Sequence, residues 1–84
     1  MNLKQDWQFR TIVTQDGFVI NESGPGFGFN CDDSGKPYEF CVKASCVWMN
    51  GNYGVFGWGH TEEEARQDAE RRAARMETEM GGVA

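Results

Sequence analysis

The chain has 84 residues, with 13 Asp and Glu against 8 Lys and Arg, so its formal net charge at pH 7 is −5. A chain of this length forms one small domain, which excludes a two-domain enzyme with a cleft between its lobes. The acidic balance argues against a scaffold that holds nucleic acid by neutralising phosphates, since that binding depends on clustered Lys and Arg. Direct nucleic-acid binding is therefore disfavoured, and a protein partner with a basic surface is favoured.

The cysteine content indicates a reduced compartment. Three cysteines, an odd number without a C-x-x-C pair, argue against a disulfide-linked secreted domain. With no 18-residue apolar run and no leader segment, we expect a cytoplasmic protein without a membrane partner. We expect Cys46 to be a core residue and Cys41 a half-exposed thiol on the opposite face of a strand. A zinc site would need Cys31, one of the other two cysteines, and His60, with no fourth ligand identified, so no metal or cofactor is predicted.

The first third of the chain predicts a hairpin. Residues 1–6 are polar and are expected to fray. Residues 7–14 alternate apolar and polar side chains, which is typical of a strand. Asp16-Gly17 predicts a tight turn, after which residues 18–22 return as a second strand. The stretch from residue 23 to 37, rich in Gly, Pro and Ser, is interpreted as irregular.

A second hairpin is predicted between residues 38 and 59. Alternation from 38 to 50 defines a predicted core face, made of Tyr38, Phe40, Val42, Ala44, Cys46 and Trp48. Asn50-Gly51 predicts the turn, and residues 53–59 return as the next strand. The glycines of that strand allow another element to approach closely.

A helix is predicted from Thr61 to about Met80. Thr61 and Glu64 form a capping box. A stripe at helical spacing predicts the buried face, made of Ala65, Ala69, Ala73, Met76 and Met80. Because alanines let a helix lie close to a sheet, the core volume is expected to come from aromatic residues of the sheet, such as Phe40, Trp48, Phe56 or Trp58. Residues 81–84 are expected to be flexible.

These elements predict one domain, residues 1–84, of the α+β class. The expected architecture is an antiparallel sheet of about four strands packed on one C-terminal α-helix, in the order ββββα. No catalytic motif is present, and His60, the single histidine, lacks a nucleophile nearby in sequence, so an enzyme is not predicted. The protein is interpreted as a binding module.

Acidic residues are the predicted partner-binding site. Glu62, Glu63, Glu64 and Asp68 lie on the first turns of the predicted helix, and Asp32 and Asp33 form a second cluster. Carboxylates in such clusters complement a basic surface. A solvated helix face whose acids pair with its own arginines is the alternative explanation, and it stays open.

Two local resemblances point to nucleic acid. Gly26-Phe27-Gly28-Phe29, followed by Asp32-Asp33, resembles the segment of cold-shock domains whose phenylalanines stack on bases. This resemblance implies an alternative function, single-stranded nucleic-acid binding, with Phe27, Phe29 and Trp58 as the stacking residues. Residues 38–80 resemble the C-terminal half of a double-stranded-RNA-binding domain. In that family the helix opens with lysines that touch phosphates, where this chain has three glutamates.

A third resemblance agrees with the charge. Residues 50–65 comprise an Asn/Gly turn, an aromatic-Gly strand and a Glu-rich capped helix start, and they resemble the strand-to-helix junction of small phage-encoded anti-CRISPR proteins. Many proteins of that kind are acidic, lack catalytic groups and block basic nucleic-acid-binding surfaces of bacterial surveillance complexes. The resemblance implies a phage or prophage inhibitor of a bacterial defence complex. A homodimer formed through the aromatic-Gly strand stays open as an alternative.

Overall fold

Three strands and one helix make up the fold. The computed structural model describes residues 3–20, 28–49 and 51–81. Within them the order of elements is β1 (Gln8–Val13), β2 (Phe40–Trp48), β3 (Gly51–Gly59) and α1 (Glu62–Gly81). The strands form one antiparallel sheet with β2 between β1 and β3. The α+β class is therefore confirmed, but the described residues contain three strands instead of about four.

The absent strand is the predicted return of the first hairpin at residues 18–22, of which 21 and 22 lie outside the described residues. The turn itself forms, since Asp16 and Gly17 have φ values of 50° and 89° and the two flanking residues form a bridge. In the described residues, the pairing does not continue past this bridge. The side chain of Val19 is buried, and the carbonyl of Gly17 accepts the amide of Asn30 at 3.0 Å. β1 pairs with β2 on one edge, and no strand of the described residues pairs with its other edge.

The turn between β2 and β3 lies one residue earlier than predicted. Trp48 pairs with Gly51, so the connection consists of the two residues between them, and Met49 adopts a positive φ of 48°. A two-residue connection of this kind joins antiparallel strands directly. Gly51 is therefore the first residue of β3, and Asn50, the other residue of the predicted turn centre, lies outside the described residues.

Helix α1 packs on one face of the sheet through its alanine stripe. Ala65, Ala69 and Ala73 have no exposed surface, and Met76 packs partly buried beside them. The side chain of Met80 lies outside the described residues. The sheet and the segment before it supply the rest of this core, namely Trp7, Phe9, Phe40, Val42, Ala44, Cys46, Tyr53 and Val55.

Two glycines of β3 allow the helix to approach this closely. A Cβ atom on Gly57 would lie 2.2 Å from the backbone nitrogen of Ala69 and 2.4 Å from the carbonyl oxygen of Ala65. A Cβ atom on Gly59 would lie 2.5 Å from the backbone nitrogen of Ala65. These contacts are far inside van der Waals distance, so the two backbones touch without intervening side chains. The close approach expected at the glycines of this strand is made by α1.

The predicted core contribution of Phe56 and Trp58 is wrong. They alternate with the glycines that face α1, so they lie on the opposite face of the sheet. Cys41 is also on that face, between Ile12 of β1 and Trp58 of β3 in the register, and it is fully buried instead of half-exposed. Cys46 is a core residue as predicted, and none of the three cysteines, all within the described residues, forms a disulfide.

The N-terminal segment is attached to α1 through Glu77. The Glu77 carboxylate accepts hydrogen bonds from the amides of Lys4 (2.8 and 2.9 Å) and Gln5 (2.6 Å), and from Nε1 of Trp7 (2.8 Å). Leu3 packs against the core. Residues 3–6, expected to fray, thus have defined contacts, while residues 1 and 2 lie outside the described residues.

Candidate functional site

The two acidic clusters recognised in the sequence meet at His60, which precedes α1. Its ring Nε2 lies 2.7 Å from Oδ2 of Asp32, and its ring Nδ1 lies 2.6 Å from Oε1 of Glu39. Its backbone amide donates to Oε1 of Glu64 at 3.1 Å. Carboxylates from the turn before β2, from the residue that directly precedes β2 and from the helix therefore surround one residue. We call this region the acidic end, made of Asp32, Asp33, Glu39, Glu62, Glu63 and Glu64.

The Asp32 carboxylate is positioned by its own turn. Its Oδ1 accepts hydrogen bonds from the amide and hydroxyl of Ser34, at 2.9 and 2.6 Å, and from the amide of Lys36 at 3.0 Å. Gly35 closes the turn with a φ of 88°. Oδ2 is left to face His60, while Asp33 is exposed beside it. The turn therefore fixes one carboxylate and presents the next to solvent.

The ring of His60 is matched to carboxylates on both sides. A neutral imidazole has one donor nitrogen, whereas the protonated ring has two, so the protonated form satisfies both contacts. Hydrogen bonds to Glu39 and Asp32 raise the pKa of His60 above its ordinary value. Hydrogen bonds from Ser34 and Lys36, and then from His60, lower the pKa of Asp32, and the bond from His60 lowers the pKa of Glu39.

This arrangement limits the chemistry that His60 can perform. Both ring nitrogens are occupied, so neither is placed to take a proton from a substrate. The two carboxylates contact different ring nitrogens and do not converge on a common point. Across residues 3–20, 28–49 and 51–81, no group of three His, Cys, Asp or Glu side chains is arranged to hold a metal ion. The geometry of the region is that of a charged surface.

One of the two hydrogen bonds of the predicted capping box forms at the start of α1. Oγ1 of Thr61 accepts the amide of Glu64 at 3.1 Å, as predicted. The carboxylate of Glu64 accepts the amide of His60 instead of the amide of Thr61. Glu62 and Glu63 are exposed, and the Glu63 carboxylate accepts Nε2 of Gln67 at 3.3 Å. Glu64 thus closes the strand-to-helix junction, and the two glutamates before it face solvent.

Asp68, the fourth predicted helical site residue, lies one helical turn after Glu64 and has a structural role. Its Oδ2 accepts the backbone amide of Trp58 at 2.9 Å and Nε of Arg72 at 3.0 Å, and its Oδ1 contacts Arg71. Its side chain is 13% exposed. The carboxylate covers part of the outer edge of β3, and little of it remains for a partner.

Two of the three aromatic candidates, Phe29 and Trp58, lie in the part of the chain that the structure describes. Phe27 lies outside the described residues. Phe29 is 48% exposed and packs against Phe18, which is 46% exposed, with ring centroids 5.6 Å apart. Trp58 is half-buried on the helix-free face of the sheet, where it pairs with Cys41 in the register.

Glu39 belongs to the site but was not among the predicted site residues. It meets His60 because Phe40 pairs with Gly59, which places residues 39 and 60 side by side. The turn predicted at Asn50-Gly51 would shift this register and place residue 39 elsewhere. A correct position for the turn is the one signal in the sequence that could have found Glu39.

The contacts of His60 predict a stability that falls with rising pH. Its folded-state pKa is raised above the ordinary value of 6.5, so its contribution is fully present below pH 6.5 and is lost as the pH rises through the raised pKa. We expect the melting temperature of the wild type to fall over that interval, and this step to be absent in His60→Gln. An NMR titration of the single histidine gives the pKa directly. A His60 pKa at or below 6.5, with identical pH profiles for both proteins, would contradict the double contact.

Comparisons with protein-family models, curated proteins and solved structures gave no match for the chain. The site is therefore interpreted from its own geometry. In the part of the chain that the structure describes, no helix is long and apolar enough to cross a membrane.

Proposed function

We propose that this chain is a non-enzymatic protein-binding module that docks its acidic end on a basic surface of a partner protein. One observation carries the proposal, namely that three carboxylates from three segments, those of Asp32, Glu39 and Glu64, contact His60. The exposed Asp33, Glu62 and Glu63 lie next to them in the chain and complete the acidic end. Two cationic groups act on this region, namely the imidazole of His60 when it is protonated and Lys36, whose charge lowers the pKa of Glu39. The carboxylates outnumber them, so the acidic end attracts basic surfaces and repels phosphates.

Preorganisation supports the same function. Asp32 and Glu39 are held by His60, and Asp32 also by its turn, so these side chains lose little conformational entropy when a partner binds. Glu62 and Glu63 are exposed at the helix N-terminus, where the helix dipole favours negative charge. Complementary charges of this kind speed association, and their effect weakens with added salt.

The narrower form of the proposal names the partner class. The basic surface is the nucleic-acid-binding surface of a bacterial defence complex, and the chain blocks it as a stoichiometric inhibitor carried by a phage or prophage. The support for this form is the acidic charge of the chain and its resemblance, over residues 50–65, to anti-CRISPR proteins.

Reversal of one charge at the acidic end tests the proposal. Glu63→Lys should weaken binding to a partner captured from bacterial lysate by about tenfold at low salt, which corresponds to about 1.4 kcal/mol. Glu79→Lys is the matched control, because it makes the same charge change on an exposed residue at the other end of α1. Glu64 is unsuitable for this test, since it also closes the helix junction. Calorimetry at two salt concentrations, with the melting temperature of each variant, is the measurement.

The two reversals separate a binding surface from a general effect of charge. Equal weakening by Glu63→Lys and Glu79→Lys would mean that only net charge matters. If the affinity of Glu63→Lys is unchanged, the acidic residues at the start of α1 only cap the helix and do not bind a partner, and the proposal is wrong.

A second candidate function is single-stranded nucleic-acid binding, and the exposed Phe18 and Phe29 pair favours it. Two aromatic rings 5.6 Å apart, each about half exposed, present faces on which bases stack. A titration with an oligothymidylate separates the two candidates. Loss of binding in Phe29→Ala, with the affinity for a protein partner unchanged, would support this second function.

A further inference from the structure

The outer edge of β3 has a covered part and an uncovered part. The amide of Trp58 donates to Asp68 instead of to β2, so Trp58 occupies a position whose backbone groups point away from β2. In an antiparallel pair this orientation repeats at every second residue, so the backbone groups of Gly54 and Asn52 also point outward. In the described part of the chain, β3 has a strand neighbour on one side only, and no other backbone group bonds to Gly54 or Asn52 from the outer side.

A groove runs along this edge between β3 and α1. It has a volume of about 300 Å³ and is lined by Val55 and Phe56 of the strand and by Arg72, Arg75, Met76 and Glu79 of the helix. One wall is therefore a strand edge and the other is a helix face that carries both apolar and charged groups. An extended peptide segment fits such a groove, because it can pair with the strand edge while its side chains meet the helix.

The charge of the groove indicates what the segment must carry. Two arginines and one glutamate line it, which makes it locally cationic on a chain of net charge −5. Nε of Arg72 is bonded to Asp68, and Nε of Arg75 lies 3.7 Å from Glu79, so each guanidinium keeps further N–H groups for another acceptor. Arg75 is 83% exposed. A carboxylate is the side-chain group that guanidinium forks bind best.

We propose that the groove between β3 and α1 docks an extended segment of a partner protein that carries an acidic side chain, added to the sheet as a fourth strand beside β3. Main-chain hydrogen bonds to Gly54 and Asn52 hold the segment, Met76 and Val55 contact its apolar side chains, and Arg75 binds its carboxylate. This surface is distinct from the acidic end, which lies at the opposite end of α1, so one chain offers sites of opposite charge.

The edge of β1 is a less suitable site for the same segment. Helix α1 lies over β3 and β2 and barely reaches β1, so within residues 3–20, 28–49 and 51–81 no helical wall flanks the outer side of that strand. The edge of β3 combines unpaired backbone groups with a wall and with charge, and this combination distinguishes it.

The test uses a blocked six-residue peptide of alternating Val and Thr with one central Asp, titrated into the full chain and followed by NMR. We expect amide shifts and slowed hydrogen exchange at Gly54 and Asn52. Two control peptides carry Lys in place of Asp, or N-methyl groups on alternate amides, and both should bind about tenfold more weakly or worse. Arg75→Glu should weaken the acidic peptide by a similar factor and improve the Lys peptide. Arg71→Glu makes the same charge change outside the groove and should leave both affinities within about twofold.

Several results would overturn the proposal. Shifts confined to β1, equal affinity for the Asp and Lys peptides, or undiminished binding of the N-methylated peptide would each exclude this mode of docking. Gly54→Pro, which removes one outward donor, should weaken the acidic peptide and keep the fold, since proline is tolerated on an edge strand. If Gly54→Pro does not fold, the N-methylated peptide still tests the main-chain hydrogen bonds, because it removes the donors of the peptide and leaves β3 unchanged.

Discussion

Gly57→Ala is expected to lower the free energy of unfolding by about 3 kcal/mol, which corresponds to roughly 15 °C in melting temperature for a domain of this size. The added methyl group would lie 2.2 Å from the backbone nitrogen of Ala69, 2.4 Å from the carbonyl oxygen of Ala65 and 2.7 Å from Cα of Ala69. All three atoms belong to the helix backbone, so no side chain can rotate away. The helix has to move off the sheet, and the contacts of its alanine stripe are lost.

Gly54→Ala is the matched control on the same strand. Its Cβ would meet one atom, the carbonyl oxygen of Ala44, at an ordinary 3.7 Å. We expect a change in stability within about 0.5 kcal/mol, as for most surface substitutions. Thermal melts followed by circular dichroism compare the two variants. Similar melting temperatures for both would show that α1 does not pack against Gly57 as described.

Glu77→Ala is expected to cost about 2 kcal/mol and to release the N-terminal segment. The carboxylate accepts the amides of Lys4 and Gln5 and the indole N–H of Trp7, and alanine leaves all three donors without that acceptor. Trp7 is 7% exposed and belongs to the core, so its indole N–H signal should move and the amides of residues 4 and 5 should exchange quickly. NMR hydrogen exchange and a thermal melt measure both effects.

Two comparisons isolate the role of Glu77. Glu79→Ala removes an exposed carboxylate from the same helix and should change stability by less than about 0.5 kcal/mol. Burial raises the pKa of Glu77, but hydrogen bonds from Lys4, Gln5 and Trp7 outweigh it, so the pKa lies below its ordinary value of 4.5. The contribution of Glu77 is then present above pH 4.5 and is lost as the pH falls through the lowered pKa. Glu77→Gln should flatten the acid side of the stability profile, and an unchanged acid profile would contradict this account.

The secondary structure was predictable where its signals are local. The alanine stripe of α1, the Thr61 cap and the alternation of β2 depend on residues within one or two turns of one another, and all three appear in the structure. The Asp16-Gly17 turn also forms, since its positive φ values suit those two residues. In the described residues, the strand expected after it does not extend beyond the bridge between Gln15 and Phe18. Val19 is buried there, and Gly17 bonds to Asn30, contacts that no local pattern indicates.

The candidate site was predictable as two clusters and not as one surface. Asp32 and Asp33 are separated from Glu62 and Glu63 by about thirty residues of chain, and nothing local indicates that His60 connects them. Asp68 shows the opposite case. In the sequence, Asp68 looks like the other exposed acidic residues of the helix. The packing of α1 on the sheet nevertheless lets its carboxylate accept a hydrogen bond from the amide of Trp58.

The sequence by itself determined the acidic charge, the class of fold, and the limits and buried face of the helix, because composition, periodicity and capping act over a few neighbouring residues. The tertiary structure decided which strands pair, which glycines touch the helix, which carboxylates are used for folding and which remain on the surface. These outcomes depend on the register of β2 against β3 and on the distance between two backbones. A shift of one residue in the register moves every side chain of a strand to the other face of the sheet. The strand pairing, the glycine contacts and the roles of the carboxylates therefore follow only from the assembled sheet and helix.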